Sequence, residues 1–399
     1  MPDPVSDVQQ VVVVGGGIGG ARTVAQLRRR GYTGEIVLLG AESRLPYDRP
    51  PLSKAVLAGL RDETMLRFDP AALDVQVRLG AAVTGLDLDR RTVRAGSDDI
   101  SFDRLVIATG ASPVRLPGDG PQLTLRTLDD ALELRRRMVP GARVVVIGAS
   151  WIGAEVATAA VARGCAVTCL EAGPAPLAQA LGPEVGASFL PWWRHVDLRL
   201  GTGVAAVEGG RVALADGSAI PADVVVTGVG VRPESEWLEG SGLALDRGVV
   251  VDEHLRSSAP GVVALGDVAA RWSPRWSTRL RVEHWEDAGS AGGVAAGTVL
   301  AGDAGERPVH DPVPYFWSDQ FGHKIQYVGA HSVGNRPIER AAGVDPGRTI
   351  SWIDDAGRIT AVLTVDRPRE SAAAGRLVEQ RRIVQLAELT DPTATLLSV

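Results

Sequence analysis

Two stretches of the chain, 133 residues apart, repeat one plan. Val11-Val-Val-Val-Gly-Gly-Gly-Ile-Gly-Gly-Ala21 is matched by Val144-Val-Val-Ile-Gly-Ala-Ser-Trp-Ile-Gly-Ala154, with Gly15 aligned on Gly148. The register holds through Arg30-Gly31 and Arg163-Gly164, and an apolar run follows each copy, Glu35 to Leu39 and Ala166 to Leu170. Each copy reads as strand, glycine turn, helix, strand, a βαβ unit. A repeat this long predicts two similar domains and excludes a solenoid. With 399 residues the chain has room for two or three domains at ~150 residues each.

Each turn points to a dinucleotide. In Gly15-x-Gly17-x-x-Gly20, the first glycine permits the tight turn and the second lets a pyrophosphate approach the backbone. The third allows close helix–strand packing. The helix N-terminus then offers free N–H groups and the positive end of its dipole. Glu42 follows 22 residues after Gly20, placed to hold a ribose. The second copy is Gly148-x-Ser150-x-x-Gly153 with Glu171 beyond the next strand; Ser150 narrows the space for a pyrophosphate. Glu171 would accept bonds from a ribose 2′-OH and repel a 2′-phosphate, and Ala172-Gly-Pro174 supplies no Arg for such a phosphate, so NADH is favoured over NADPH. Two nucleotide sites suggest a fixed flavin and a nicotinamide that exchanges. Gly266-Asp267, after the run Gly261 to Leu265, puts a carboxylate where a ribityl chain could be held.

Other classes are disfavoured. Net charge is −6 and no extended basic tract is present, which argues against nucleic acid. The apolar runs are short and glycine-broken, well under the ~20 residues of a membrane span. Met1 to Gln10 lacks the basic start of a secretory leader, and two Cys exclude a disulfide scaffold, so a cytoplasmic protein is expected. Cys165 and Cys169 lie roughly 13 Å apart along a predicted strand at ~3.3 Å per residue. That exceeds the ~7 Å Cα limit of a disulfide, and core packing is their expected role. His195, His254, His284, His310, His323 and His331 show no metal spacing, and no metal site is expected.

Of 42 basic residues only Lys54 and Lys324 are Lys. Lys54 ends the segment Tyr47-Asp-Arg-Pro-Pro-Leu-Ser-Lys54. Together with Arg126-Thr-Leu-Asp-Asp-Ala131, Val282-Glu-His-Trp285 and Phe316-Trp-Ser-Asp-Gln320, it resembles the NADH-dependent, FAD-containing ferredoxin reductases, with the fold of glutathione reductase. The resemblance runs from Val11 to about Leu377.

It implies an α/β protein with two Rossmann-like dinucleotide-binding domains and a C-terminal α/β domain. The expected division is an FAD domain in two pieces, 1–113 and 238–312, an NAD domain at 114–237 and a C-terminal domain at 313–399. By motif match, Gly15, Gly17, Gly20, Glu42, Arg49, Lys54, Val83, Arg126, Asp267, Trp285 and Trp317 would contact FAD. Gly148, Ser150, Gly153, Glu155, Glu171 and Gly230 would lie at the NAD site. Lys54, paired with Glu155, would stabilise negative charge on reduced flavin. Ala41 stands where the family often has an acid, and Tyr315 where some members have Trp.

The implied activity is electron transfer from NADH through FAD to a [2Fe–2S] ferredoxin serving a P450 or a ring-hydroxylating oxygenase. Two alternatives stay open: direct reduction of a small molecule such as oxygen or a quinone, or a sensor resembling apoptosis-inducing factor. The expected assembly is a monomer or weak homodimer. Arg271, Arg275, Arg279 and Arg281, in a stretch without an acid, are candidates for docking an acidic ferredoxin. In the C-terminal part Lys324 to Gly329, Arg348 to Ile353 and Arg358 to Val365 are predicted as strands and Arg369 to Glu388 as helix, with a loose tail from Asp391.

Overall fold

Each glycine repeat opens a parallel sheet. The computed structural model describes residues 8–301, 307–340, 347–391 and 396. The chain divides into two compact units. One comprises residues 1–48, 64–112 and 231–312; the other comprises 49–63, 113–230 and 313–399.

In the first unit five parallel strands run in the order Val262–Ala264, Arg104–Ile107, Gln10–Val14, Glu35–Leu39, Gln76–Arg78. Val11, Val12, Val13, Leu105, Val106 and Ile107 are all but inaccessible, as expected of a sheet covered on both faces. The first glycine helix, Ile18–Arg29, is closely approached by the helix Trp285–Ala301. A Cβ on Gly292 would lie 2.7 Å from Arg22 Cβ and 2.9 Å from Thr23 N, so only glycine lets these helices meet. The unit also holds two three-stranded sheets: Val83–Asp87, Thr92–Ala95 and Asp98–Ser101, and Val249–Val251, Ala269–Ser273 and Thr278–Leu280.

In the second unit the parallel sheet is Asp197–Arg199, Ala166–Leu170, Arg143–Ile147, Val224–Thr227. The second glycine helix, Trp151–Ala162, follows Arg143–Ile147. Both glycine helices stop where the repeat predicts, at Gly31 with φ +85° and Gly164 with φ +77°, a backbone that glycine adopts without strain.

The C-terminal part is a five-stranded antiparallel sheet, Tyr315–Gln320, His323–Gly329, Ile359–Val365, Arg348–Ile353, Arg336–Glu339. Its core holds Ile325, Tyr327, Ile350, Trp352 and Leu363. The predicted strands are present, with Tyr315–Gln320 and Arg336–Glu339 in addition. The predicted helix ends early: it spans Pro368–Glu379, Arg381 turns at φ +51°, and a short helix Leu386–Thr390 follows. Most of the tail expected beyond Asp391 lies outside the described residues.

Candidate functional site

The first loop is built around its glycines. Gly15 has φ +120°, and a Cβ there would fall 2.1 Å from Ala108 O; one on Gly20 would fall 2.1 Å from Gly15 O. Gly17 meets no protein atom within 4 Å of its Cβ position. It is the N-cap of the glycine helix, and no side chain caps that end. The first-turn N–H groups, which have no intrahelical acceptor, are thus left to an anion. Glu42 follows the strand Glu35–Leu39, and its carboxylate accepts the Tyr47 hydroxyl at 2.5 Å. Ala41 beside it is exposed. Asp267 lies in the 3₁₀ turn Gly266–Val268, directly after Val262–Ala264. Gly15, Gly17, Glu42 and Asp267 therefore gather at the carboxyl edge of one parallel sheet, where α/β proteins bind ligands. These residues fit the pyrophosphate and ribose groups of FAD. Val83 opens the strand Val83–Asp87. Trp285 opens its helix; burial raises the Asp48 carboxyl, and the Trp285 side chain lowers it in part.

The second loop closes on itself. Gly148 has φ +96° and a Cβ there would lie 2.6 Å from Gly228 O; on Gly153 it would lie 1.9 Å from Gly148 O. Ser150 caps the helix: its Oγ accepts from Gly153 N at 3.1 Å and donates to Gly228 O at 2.7 Å. The hydroxyl that replaces the middle glycine is therefore engaged with the loop's own backbone. Glu171 is held by two main-chain donors, Ala149 N to Oε2 and Gly173 N to Oε1, both at 2.7 Å. Its carboxylate is thereby fixed at the glycine loop, the position from which an adenosine ribose is read. Gly230, with φ +109°, has open space at its Cβ position.

Lys54 and Glu155 meet. Lys54 lies in a five-residue π-helical turn, Leu52–Val56, a rare conformation frequent at functional sites. Its ammonium donates to Glu155 Oε1 at 3.0 Å and Oε2 at 2.9 Å. Glu155, on the second glycine helix, is 4% exposed. It also accepts the Ser318 hydroxyl at 2.6 Å and Asp319 N at 3.1 Å on Oε1, and the Ser53 hydroxyl on Oε2. Five hydrogen bonds satisfy the carboxylate and offset the cost of burying it. Sequence reasoning missed Ser53 and Ser318 as partners, though Ser53 adjoins Lys54 and Ser318 lies in the Phe316–Gln320 segment. Arg49 donates to Arg126 O at 2.7 Å, and Arg126 N and Thr127 N both donate to Asp130 Oδ2 at 3.0 Å. Trp317 stacks on Tyr315 with centroids 6.1 Å apart, and the Tyr315 hydroxyl accepts from Gln326 Nε2 at 2.9 Å.

One expectation is corrected. Arg271 is not on the surface: it is 3% exposed, and its guanidinium reaches Asp287 at 3.4 Å, Asp311 at 3.2 Å and His310 O at 2.9 Å. A guanidinium sealed among these acceptors cannot meet a partner. Arg275 is half-buried over Trp276, Arg279 is exposed, and Arg281 pairs with Glu283. Cys165 and Cys169 are both free, and burial raises both thiols. Among the described residues no group of His, Cys, Asp and Glu could hold a metal, and no helix is long and apolar enough to cross a membrane.

Two glycine loops of the dinucleotide type, each at the head of its own parallel sheet, define an oxidoreductase of the two-nucleotide class. The pyridine nucleotide-disulphide oxidoreductase family matches residues 9–292, and a reductase C-terminal domain matches 315–399. The ferredoxin reductase component of chlorobenzene dioxygenase from Cupriavidus sp. (strain PS12) is 37% identical over 400 residues, 96% of this chain and 95% of the relative. Putidaredoxin reductase of Pseudomonas putida is 33% identical over 407 residues, 97% and 95% of the two chains. Among solved structures, Fdr9 has a TM-score of 0.94 at 57% identity, covering 97% of this chain and 99% of that one. The covalent putidaredoxin reductase–putidaredoxin complex has a TM-score of 0.90 at 33% identity, covering 97% of each. The chain belongs to the pyridine nucleotide-disulphide oxidoreductase family, in the branch of FAD-containing, NADH-dependent ferredoxin reductases.

Proposed function

We propose that the chain transfers electrons from NADH, through FAD, to a [2Fe–2S] ferredoxin that supplies a ring-hydroxylating oxygenase or a P450. The observation that carries this reading is the buried Lys54–Glu155 pair in a chain whose two cysteines are free. A disulfide relay would need a bonded or bondable cysteine pair, and a strand that separates the two sulfurs cannot provide one. Bound FAD accepts the two electrons of a hydride and gives them up singly.

The chain's residues bind, orient and compensate charge. Gly15, Gly17 and Gly20 admit the FAD pyrophosphate, Glu42 and Asp267 accept from its hydroxyls, and Val83 contacts it through its backbone. Arg49, Arg126, Trp285 and Trp317 are assigned to FAD by motif match. Lys54 contributes positive charge toward the flavin, and Glu155, held by Ser53, Ser318 and Asp319 N, fixes where that charge sits. Gly148, Ser150, Gly153 and Gly230 form the NADH loop, and Glu171 selects NADH over NADPH. Residues 1–113 with 238–312, 114–237 and 313–399 serve as FAD, NAD and C-terminal domains. The protein works in the cytoplasm as a monomer or weak homodimer, and Arg275, Arg279 and Arg281 add to the field that steers an acidic ferredoxin.

The test is NADH-dependent cytochrome c reduction with and without a [2Fe–2S] ferredoxin. Large, saturable, salt-sensitive stimulation is expected. Fast NADH consumption without stimulation, under air or with a quinone, would replace this reading with a direct reductase.

A further inference from the structure

The first unit contains a cavity that none of the dinucleotide residues lines. Its volume is about 530 Å³, within the ~300–1,000 Å³ of small-molecule sites. The strand Val249–Val251, the strand Val262–Ala264 and the end of the helix Trp285–Ala301 wall it, so Val251, Val263 and Val299 make an apolar floor. Its rim is cationic: Arg104, Arg256 and Arg279 line it with one acid, Asp252, and Arg256 already engages that carboxylate, its Nε and Nη2 both reaching Oδ2 at 2.6 Å.

Two rim side chains are adjacent and unengaged. Trp272 and Arg279 are directly opposite across the antiparallel pair Ala269–Ser273 and Thr278–Leu280. Trp272 is 38% exposed, a large aromatic ring left open to solvent. Arg279 is exposed and has no hydrogen-bond or ion-pair partner among the described residues. An open aromatic face beside a free guanidinium, over a valine floor, has a defined complement. The ring takes a flat apolar body by stacking, the guanidinium takes a carboxylate through its planar fork, and the floor rejects a heavily hydroxylated ligand.

We propose that this cavity is a binding site for a planar aromatic carboxylate, separate from both nucleotide loops. A protein partner is the less fitting occupant: such an interface covers ~800 Å² per side over a broad face, whereas these groups converge on one concavity. Stacking on Trp272 and the Arg279 contact each contribute, and loss of either rim group should be felt in affinity.

The experiment uses the FAD-loaded protein and 1-naphthoate as probe, titrated calorimetrically, with the neutral 1-naphthalenemethanol in parallel. Saturable one-to-one binding of the acid is expected, at least tenfold tighter than the alcohol and weakened by added salt. Arg279→Glu and Trp272→Ala should each lower affinity at least tenfold while the bound-flavin spectrum and Tm stay as in the parent. Because both residues are exposed, these variants fold, and an equal affinity in parent and variants would overturn the proposal. So would the absence of saturable heat at millimolar probe, or equal binding of acid and alcohol. A [2Fe–2S] ferredoxin that displaces the probe stoichiometrically would also overturn it, by making the concavity part of a protein interface. These outcomes do not depend on electron transfer, so they separate from the fate of the ferredoxin-reductase assignment.

Discussion

Replacing Glu155 with Gln keeps the shape of the side chain and removes its charge. Five hydrogen bonds reach the carboxylate, and the amide has one oxygen to receive them. With that oxygen toward Ser318 and Asp319 N, the amide nitrogen faces Ser53 and the Lys54 ammonium. The Ser53 hydroxyl can rotate to accept; Lys54, a donor only, cannot. The loss is at least one charge-assisted hydrogen bond, worth ~1.5–3 kcal/mol. Removing one partner of a fully buried pair costs ~3–5 kcal/mol, but Lys54 is 22% exposed and water takes up part of that cost. Glu155→Gln should therefore destabilise the protein by ~2–3 kcal/mol on these scales. The assay is urea unfolding at fixed excess FAD for Glu155→Gln, Lys54→Met and the double variant. The double variant should be less destabilised than the sum of the singles by at least ~1 kcal/mol, since the uncompensated ammonium is gone. Additive singles, or a Glu155→Gln cost under ~0.5 kcal/mol, would refute the reasoning. Glu133→Gln is the reference. Glu133 is held down to about 2 by hydrogen bonds from Arg136 and Arg137, yet lies in water that screens the pair, so its loss should barely move the midpoint.

Three further outcomes follow from the same geometry. Gly17→Ala should fold and purify with less flavin, because its Cβ meets no protein atom within 4 Å, whereas Gly20→Ala should fail to accumulate; absorbance at the flavin band per mole of soluble protein distinguishes them. Glu171→Arg should lower the NADH-over-NADPH ratio of kcat/KM at least tenfold, ~1.4 kcal/mol of discrimination, and an unchanged ratio would remove Glu171 from cofactor selection. His284 is pushed below its usual 6.5 by burial, against the upward pull of Asp287 and Asp267. The native state holds it neutral while the unfolded chain gains a proton below 6.5, so its contribution is present above that pH and lost as pH falls. Denaturation midpoints of His284→Gln should fall less than the parent's between ~pH 6.5 and 5.

Much of this fold was legible because its signals are local. A glycine at φ +120° with a carbonyl 2.1 Å from its missing Cβ has no substitute, so the glycine spacing carried both parallel sheets. What escaped was non-local. The C-terminal helix has no Gly or Pro at its end; it stops where Ile359 N bonds Arg382 O and draws the chain back to the sheet. The π-helical turn is set by tertiary contacts of Ser53 and Lys54 with Glu155, about 100 residues away. Arg271 was misread because composition was weighed over period. In Ala269–Ser273 the even-numbered Trp272 faces out, and Arg271 shares the inward face with Ala269 and Ser273. The docking reading treated that inward guanidinium as surface charge.

The two glycine helices begin differently. Where Ser150 caps its own helix, the loop has spent its Gly153 donor internally. The loop at Gly17 has no such cap, so its donors remain unanswered until an anion comes. The uncapped loop therefore keeps a first-turn donor for an anion that the capped loop has already used, and the difference between them is the Ser150 hydroxyl.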